Sequence, residues 1–399
     1  MSLNLDTSRW KRVRLGDVAV TSREKVDPTD GSVNRYVAGE HMNTDDLRIH
    51  RWGDVSEKDL GPAFHRRFRP GQVLYGSRRT YLRKVSVADS DGVCANTTFV
   101  VETADNAFLL QEFLPFVMSS EPFHAHAIGE SKGSVNPYVN WPDIAKFEFD
   151  LPPLDEQQRI ADLLWAVERH RESAVTTASA HASAKMALLQ GRLQRAVEEH
   201  GWTKQPVLAL VTSGPTNGKS ARATAEEGGV PTLSISAIRE GGVRGGDSVK
   251  WIDIDPQSVK AFELQQDDFL VVRGNGNRSL TGRGGLVHNS LPPGCIYPDL
   301  LIRLRFDKRQ ILPKFAAEQW NSEYAHSNLI RSAKSTNGIW KINGKDVKSH
   351  QLVVPPMTVQ LELLDQLATL DTAHDAANVE SQSLRSLQSS LLAQIFGGN

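Results

Sequence analysis

Leu151-Pro152-Pro153-Leu154-Asp155-Glu156-Gln157-Gln158-Arg159-Ile160-Ala161-Asp162-Leu163-Leu164 is a stop signal followed by a start signal. Proline fixes φ and lacks an N–H, so a proline pair closes a strand and is tolerated just ahead of a helix but not inside one. From Asp155 to Glu199 there is no proline, and Gly191 is the single glycine. The segment predicts a helix of roughly 40 residues, about 60 Å long. The same signal returns at Val354-Pro355-Pro356-Met357, after which Thr358 to Phe396 holds neither proline nor glycine. Two long helices, each introduced by a proline pair, organise the chain.

The second occurrence is a copy of the first. Asn140, Asp143, Pro152, Pro153, Gln157 and Asp162 recur 203 positions later as Asn343, Asp346, Pro355, Pro356, Gln360 and Asp365. Apolar positions keep step, as in Val139 with Ile342 and Ile160 with Leu363. Upstream the offset shortens: Ser120-Glu121 matches Ser322-Glu323, Cys94 matches Cys295 and Trp10 matches Trp202. A drift in one direction is what loop insertions in a duplicated unit produce.

Between these markers lie blocks of short strand-like runs and turn signals, for example Val73-Leu74-Tyr75, Phe99-Val100-Val101, Phe269-Leu270-Val271-Val272 and Leu300-Leu301-Ile302, with helical stretches near 106–120 and 312–330. Strand and helix do not alternate regularly, so the expected class is α+β. The expected domains are 1–152 and 200–355, two pseudo-repeated globular blocks, and 153–199 and 356–399, two long helices forming an antiparallel coiled coil. The second helix carries a heptad stripe of Leu363, Leu367, Leu370, His374, Ala377, Ser381, Leu384, Gln388, Leu391 and Ile395. The first offers Ile160, Leu164 and Val167, the small residues Ala174, Ala178 and Ala182, then Met186, Leu189 and Leu193. Pairing in that sense is expected to place the two blocks at opposite ends.

Composition bounds the rest. The 399 residues suit two or three domains, and 39% apolar with 23% charged is ordinary for a globular chain. There is no apolar run of the ~20 residues that span a bilayer, nor a signal-peptide stretch at the start, so a cytoplasmic protein is expected. Cys94 and Cys295 stand alone, which excludes a disulfide scaffold and a multi-cysteine zinc site. The net charge of −1 hides a division: residues 201–350 hold 20 Lys+Arg against 14 Asp+Glu, while residues 351–399 hold 1 against 5. The third block suits an anionic polymer and the last does not.

Two loops at corresponding places combine cations with planar hydrogen-bonding side chains. The first is Gly76-Ser77-Arg78-Arg79-Thr80-Tyr81-Leu82-Arg83-Lys84, close after Arg66, Arg67 and Arg69; the second runs from Arg273 through Asn275, Asn277 and Arg278 to Arg283. Arginine takes guanine, and asparagine adenine, through two hydrogen bonds each, and cations take phosphate. These residues are DNA-contact candidates. A second pair of loops adds Lys132, then Lys334 and Asn337, as backbone contacts.

Several catalytic signatures fail. Gly214 to Gly218-Lys219-Ser220 has three intervening residues where a phosphate-binding loop needs four. Gly274-x-Gly276 lacks a strand–helix context, and Asn136-Pro137-Tyr138 lacks a cofactor loop. His124 and His126 have no ligand spacing for zinc, and His374 on the heptad seam reads as a register-setting polar residue.

The layout resembles the specificity subunits of type I restriction–modification systems, chiefly through Leu151–Leu164 and its looser copy at 354–367. The openings at Trp10 and Trp202, and the stretches Asp268–Asn275 and Tyr297–Ile302, add to the likeness. The second copy departs from the pattern, with Thr358-Val359 where Asp155-Glu156 stand. The resemblance implies a subunit with no catalysis and no cofactor of its own. In that family each globular block is a target recognition domain reading one half of a bipartite, asymmetric site in double-stranded DNA. The paired helices serve as ruler and docking surface for two methyltransferase subunits, which bind S-adenosylmethionine, with restriction subunits as optional further partners. Two other classes remain open: a single-chain restriction or methylation enzyme, and a two-domain protein adaptor without a nucleic-acid role. The target bases and the spacer length are not legible in the sequence.

Overall fold

The proline pairs act as their chemistry dictates. In the computed structural model the Glu148–Leu151 strand ends at Pro152-Pro153, and a helix of 46 residues runs from Leu154 to Glu199. Pro355-Pro356 likewise separates the Gln351–Val353 strand from a helix of 40 residues, Met357–Phe396. At 1.5 Å per residue these are about 69 and 60 Å long. The structure describes residues 5–57, 59–199, 201–224, 228–239, 241–288, 291–336 and 338–397. The chain forms two compact units, Met1–Thr176 with Ala377–Asn399, and Thr177–Ala376. Both are mixed helix and sheet.

In the first unit, one four-stranded sheet has the order Ala19–Thr21, Thr98–Thr103, Val73–Gly76, Val85–Val87, and a second the order Gly53–Asp54, Arg35–Val37, Gly92–Ala95, Phe64–Phe68. Val73, Leu74 and Tyr75 pair with Val101, Val100 and Phe99. Successive side chains on a strand point to opposite faces. Val73, Tyr75 and Val101 therefore enter a core with Phe113, Phe116, Phe123 and Ile144, while Leu74 and Val100 enter another with Val37, Met42, Phe68 and Cys94. The second unit repeats the device: Phe269, Val271, Ile302 and Leu304 pack with Phe315 and Trp320, and Leu270, Val272 and Leu301 with Cys295 and Tyr297. Its main sheet has six strands, in the order Val211–Asn217, Leu301–Phe306, Phe269–Val272, Gly284–Leu286, Gly242–Val243, Ile238–Arg239.

Other correspondences are local and specific. In each unit the opening strand pairs antiparallel with the strand that ends at the proline pair, Lys11–Arg14 with Glu148–Leu151 and Lys204–Pro206 with Gln351–Val353. Gln157 donates to the carbonyls of Phe108 (2.9 Å) and Pro152 (2.8 Å) and accepts from the Leu110 N–H (2.9 Å). Gln360 does the same with Gln310, Pro355 and Leu312, at 2.9, 2.9 and 2.8 Å. Ser120 caps the Glu121–Gly129 helix and Ser322 the Glu323–Ile330 helix. Where the repeat departs, the partner changes: the buried Glu156 accepts from Trp10 Nε1 at 2.9 Å, while Val359 packs in the same cluster as Trp202. Glu156 is thus a tether for the first strand as well as a helix-start carboxylate.

The long helices pair antiparallel inside each unit. In the first unit Ile160, Leu164 and Val167 share a core with Leu391 and Ile395, with Leu384 partly buried against it. In the second, Leu189 and Leu193 share one with Leu363 and Leu367, and Leu370 is half-buried. Lys185 Nζ reaches Asp371 (2.8 Å) and Arg192 Nη2 reaches Glu362 (2.9 Å). His374 lies on the seam, its Nδ1 2.8 Å from the Ala178 carbonyl. Ala174 and Ala178 are buried, but Ala182 and Met186 point to solvent. The buried row at 3.6 residues per turn passes instead through the half-buried His181, Lys185 and Leu188. Of the helical stretch expected near 106–120, Leu114–Met118 is helical, and the one near 312–330 is broken at Ser322 into Pro313–Asn321 and Glu323–Ile330.

Candidate nucleic-acid interface

In the first unit the basic loop follows the Val73–Gly76 strand and closes in a single 3-10 turn, Thr80–Leu82. Arg79 and Arg83, on either side of that turn, both have left-handed backbone, φ 51° and 50°. For a residue with a Cβ this costs on the order of 1 kcal/mol each. The turn leaves Tyr81 52% exposed.

Most cations of this region already have partners. Arg66 donates to the Thr98 carbonyl at 3.0 Å, and Arg67 to Asp91 through both Nε (3.1 Å) and Nη2. Arg69 Nε reaches both carboxylate oxygens of Glu24, at 3.0 and 3.2 Å. Arg83 bridges Asp45 and Glu121, each at 2.8 Å. Lys132 donates to Asp143 at 2.9 Å. That hydrogen bond holds the Asp143 carboxyl below the usual carboxylate range and raises the Lys132 ammonium above its own. Two exposed arginines differ. Arg79 Nε donates to the neutral Asn136 Oδ1, at 3.2 Å. The Arg78 guanidinium lies 4.7 Å from the centroid of the Tyr138 ring, and the two residues also form a backbone bridge.

The second unit sorts its loop in the same way. Arg273 donates to the Asp299 carbonyl (3.3 Å), and Arg283 to those of Asn321 (2.7 Å) and Ser279 (3.3 Å). Burial lowers the proton affinity of Arg283 below that of a free guanidinium. Asn275 Oδ1 accepts from the Asn277 N–H and Asn277 Oδ1 from Ser279, so each amide spends acceptor capacity on the loop itself. Arg278 is exposed, its guanidinium 4.7 Å from the Trp340 ring centroid. Trp340 sits on the central strand of a small sheet, Gly274–Asn275, Ile339–Lys341, Lys334–Thr336, in register with Asn275. The exposed Lys334 faces Lys341 across that sheet. Asn337 lies outside the described residues.

Sequence reasoning did not select Tyr138 and Trp340 as site residues, nor the exposed Lys341. The available signal was an aromatic just ahead of the repeated Asn140 and Asn343. The remaining motifs take structural roles. Val211–Asn217 is a strand whose following residues are not helical, so Gly218-Lys219 does not open a helix as a phosphate loop would. Burial holds the His124 imidazole down to about 3, and His126 Nε2 is 2.9 Å from the Asp143 carbonyl. Among the described residues no three His, Cys, Asp or Glu side chains are grouped to hold a metal ion, and no helix is long and apolar enough to cross a membrane.

Comparison with known proteins gives this geometry a context. The type I restriction modification DNA specificity domain matches residues 7–176. The chain is 28% identical over 286 residues to the type I restriction enzyme EcoKI specificity subunit of Escherichia coli K12, covering 66% of this chain and 61% of that protein. It is 27% identical over 202 residues to the StySPI specificity subunit of Salmonella potsdam, covering 50% and 43%. The chain thus spans less than two thirds of the length of these curated relatives. Among solved structures, the S subunit of a type I system from M. genitalium superposes with a TM-score of 0.55 at 14% identity over 100% of both chains. A chain from a study of type I R-M complex assembly and conformational transition superposes with a TM-score of 0.59 at 20% identity, covering 97% and 98%. Residues 7–176 match the type I restriction modification DNA specificity domain, and over 286 residues the chain is similar to a specificity subunit of a type I restriction enzyme.

Proposed function

We propose that this chain is the sequence-recognition subunit of a type I restriction–modification complex, reading a bipartite, asymmetric site in double-stranded DNA without catalysing a reaction itself. The observation that carries this reading is that each unit turns outward a basic loop whose exposed arginine rests on an aromatic ring, Arg78 on Tyr138 and Arg278 on Trp340. The similarity to specificity subunits supports it.

The proposed organisation is a duplicated one, with recognition domains over 1–152 and 200–355 and helical spacers over 153–199 and 356–399. The matched glutamine clamps and matched opening strands support the duplication. The antiparallel packing inside each unit supports one coiled coil that serves as ruler and as docking surface for two methyltransferase subunits. The acidic balance of 351–399 suits a protein partner better than DNA. S-adenosylmethionine would bind those partners and not this chain, restriction subunits would complete a cleaving complex, and the assembly would work in the cytoplasm.

Binding of the purified chain to duplex DNA across a salt series tests the recognition role. The affinity should fall steeply with salt, as release of counterions from phosphates requires. Methyl transfer to DNA from S-adenosylmethionine should need added methyltransferase subunits. Transfer by this chain alone, or the absence of DNA binding at low salt, would overturn the proposal.

A further inference from the structure

The basic loops hold many cations, yet hydrogen-bond bookkeeping separates two of them from the rest. A guanidinium engaged by a carboxylate or a carbonyl has spent part of its fork and, against a carboxylate, its net charge. That describes Arg66, Arg67, Arg69, Arg83, Arg273 and Arg283. The Arg78 and Arg278 side chains have no hydrogen-bond or carboxylate partner among the described residues. What each has is a ring beneath it, Tyr138 or Trp340, both at 4.7 Å.

A ring under the face of a guanidinium fixes its plane but leaves the in-plane N–H groups unspent. The ring is itself held by backbone pairing to the loop it serves: Tyr138 pairs with Arg78 and with Lys132, and Trp340 with Asn275. An oriented, uncommitted, planar pair of donors is the complement of two acceptors side by side in one plane. On a duplex, guanine presents that pattern at O6 and N7 in the major groove, and no other base does. A phosphate contact needs no such plane, and lysine serves it equally well.

We propose that Arg78 and Arg278 are specificity-determining residues that each take one guanine, one in each half of the target, with Tyr138 and Trp340 as positioning residues. This rests on the DNA-recognition role proposed above and adds the base. It follows that each half of the target contains a G·C pair whose recognition depends on guanine N7.

The test uses the unaltered full chain with its methyltransferase subunits and duplexes carrying its own methylated site, in which each guanine in turn is replaced by 7-deazaguanine. One replacement in each half should weaken binding by roughly tenfold to a hundredfold, the usual worth of a two-bond base contact. Arg78→Lys should reduce the sensitivity in one half and leave the other half intact, and Arg278→Lys the reverse, because an ammonium lacks the fixed planar fork. Overall salt dependence should stay as before, because lysine keeps the positive charge. A half-site indifferent to every 7-deazaguanine would overturn the proposal while leaving DNA recognition standing, as would sensitivity unchanged in both variants. If a variant fails to fold, the 7-deazaguanine series on the unaltered protein decides alone. A protein that binds no duplex at all refutes the recognition role and the base assignment with it.

Discussion

Lys185 Nζ donates to both carboxylate oxygens of Asp371, each at 2.8 Å, and reaches Glu318 at 2.9 Å. One ammonium therefore ties the first long helix to the second and to the Pro313–Asn321 helix of the globular block. Its side chain is 20% exposed and that of Glu318 13%, so the cluster is partly desolvated. Lys185→Ala leaves two carboxylates facing each other and should cost about 1–3 kcal/mol, between the worth of exposed and buried ion pairs. Urea unfolding of Lys185→Ala, Asp371→Ala and the double variant checks this. A double variant as unstable as the sum of the singles would mean that the two side chains do not interact.

In the first unit Arg171 ties the first long helix to the globular block. It donates to Glu168, at 2.6 and 3.1 Å, and to Asp46, at 2.8 Å, and the Glu168 side chain is 1% exposed. Removing the cation leaves an uncompensated buried carboxylate. Arg171→Met should lower stability by about 3–5 kcal/mol, and Arg171→Met with Glu168→Gln should recover part of the loss. A change within about 0.5 kcal/mol in the single variant, the range of ordinary surface substitutions, would contradict the picture.

The glutamine clamps give a third expectation. Gln157→Ala strips partners from the Leu110 N–H and from two carbonyls, and Gln360→Ala does so for Leu312, Gln310 and Pro355. Each should cost about 1–3 kcal/mol, the desolvation penalty of a buried group left unpaired. Amide exchange at Leu110 or Leu312 should accelerate in the corresponding variant only.

Two buried histidines set a pH dependence. Burial holds His124 down to about 3 and His350 down to about 4, against an unfolded value near 6.5. Below 6.5 the unfolded chain binds protons that the folded one refuses. Stability therefore falls as pH drops from about 6.5 toward about 4, by at most about 1.4 kcal/mol per pH unit per histidine. His350→Leu should flatten the fall in urea midpoint between pH 7 and 5. An unchanged slope would mean that His350 takes up its proton in the fold as readily as in the unfolded chain.

The half-sites should be separable. Arg78→Ala should weaken contact with one half of the target and Arg278→Ala with the other, by about 1–3 kcal/mol for each lost base contact, and Arg79→Ala and Arg273→Ala should weaken the same respective halves by less. Gel shifts with duplexes scrambled in one half at a time check the assignment. Affinity unchanged from the parent chain in all four variants would remove these loops from the interface.

Much of the architecture was legible because proline chemistry is local. Pro152-Pro153 and Pro355-Pro356 mark both helix starts to within a residue or two, and the stripe from Leu363 to Ile395 is buried or half-buried throughout. Gln157 and Gln360 stood out as repeated residues, but their task did not, since their partners lie about fifty positions away. The site was legible as charge and not as availability. Glu24, Asp45 and Asp91 reach the basic loop from elsewhere in the sequence, so counting cations overstated how many are free. Tyr138 and Trp340 were not selected because an aromatic in a short bridge or strand gives no sign of which arginine it will meet. Ala182 and Met186 were misplaced by one position, a small slip that turns a helical residue by about 100°.

The central claim is that the two units read two separated stretches of one DNA site. Methylome sequencing of a host carrying this chain with its methyltransferase subunits tests it most directly. The account predicts a split motif, two short specified sequences around a gap of fixed length, with substitutions in Arg78 altering one side and in Arg278 the other. A continuous motif, or one that both substitutions alter on the same side, would contradict it.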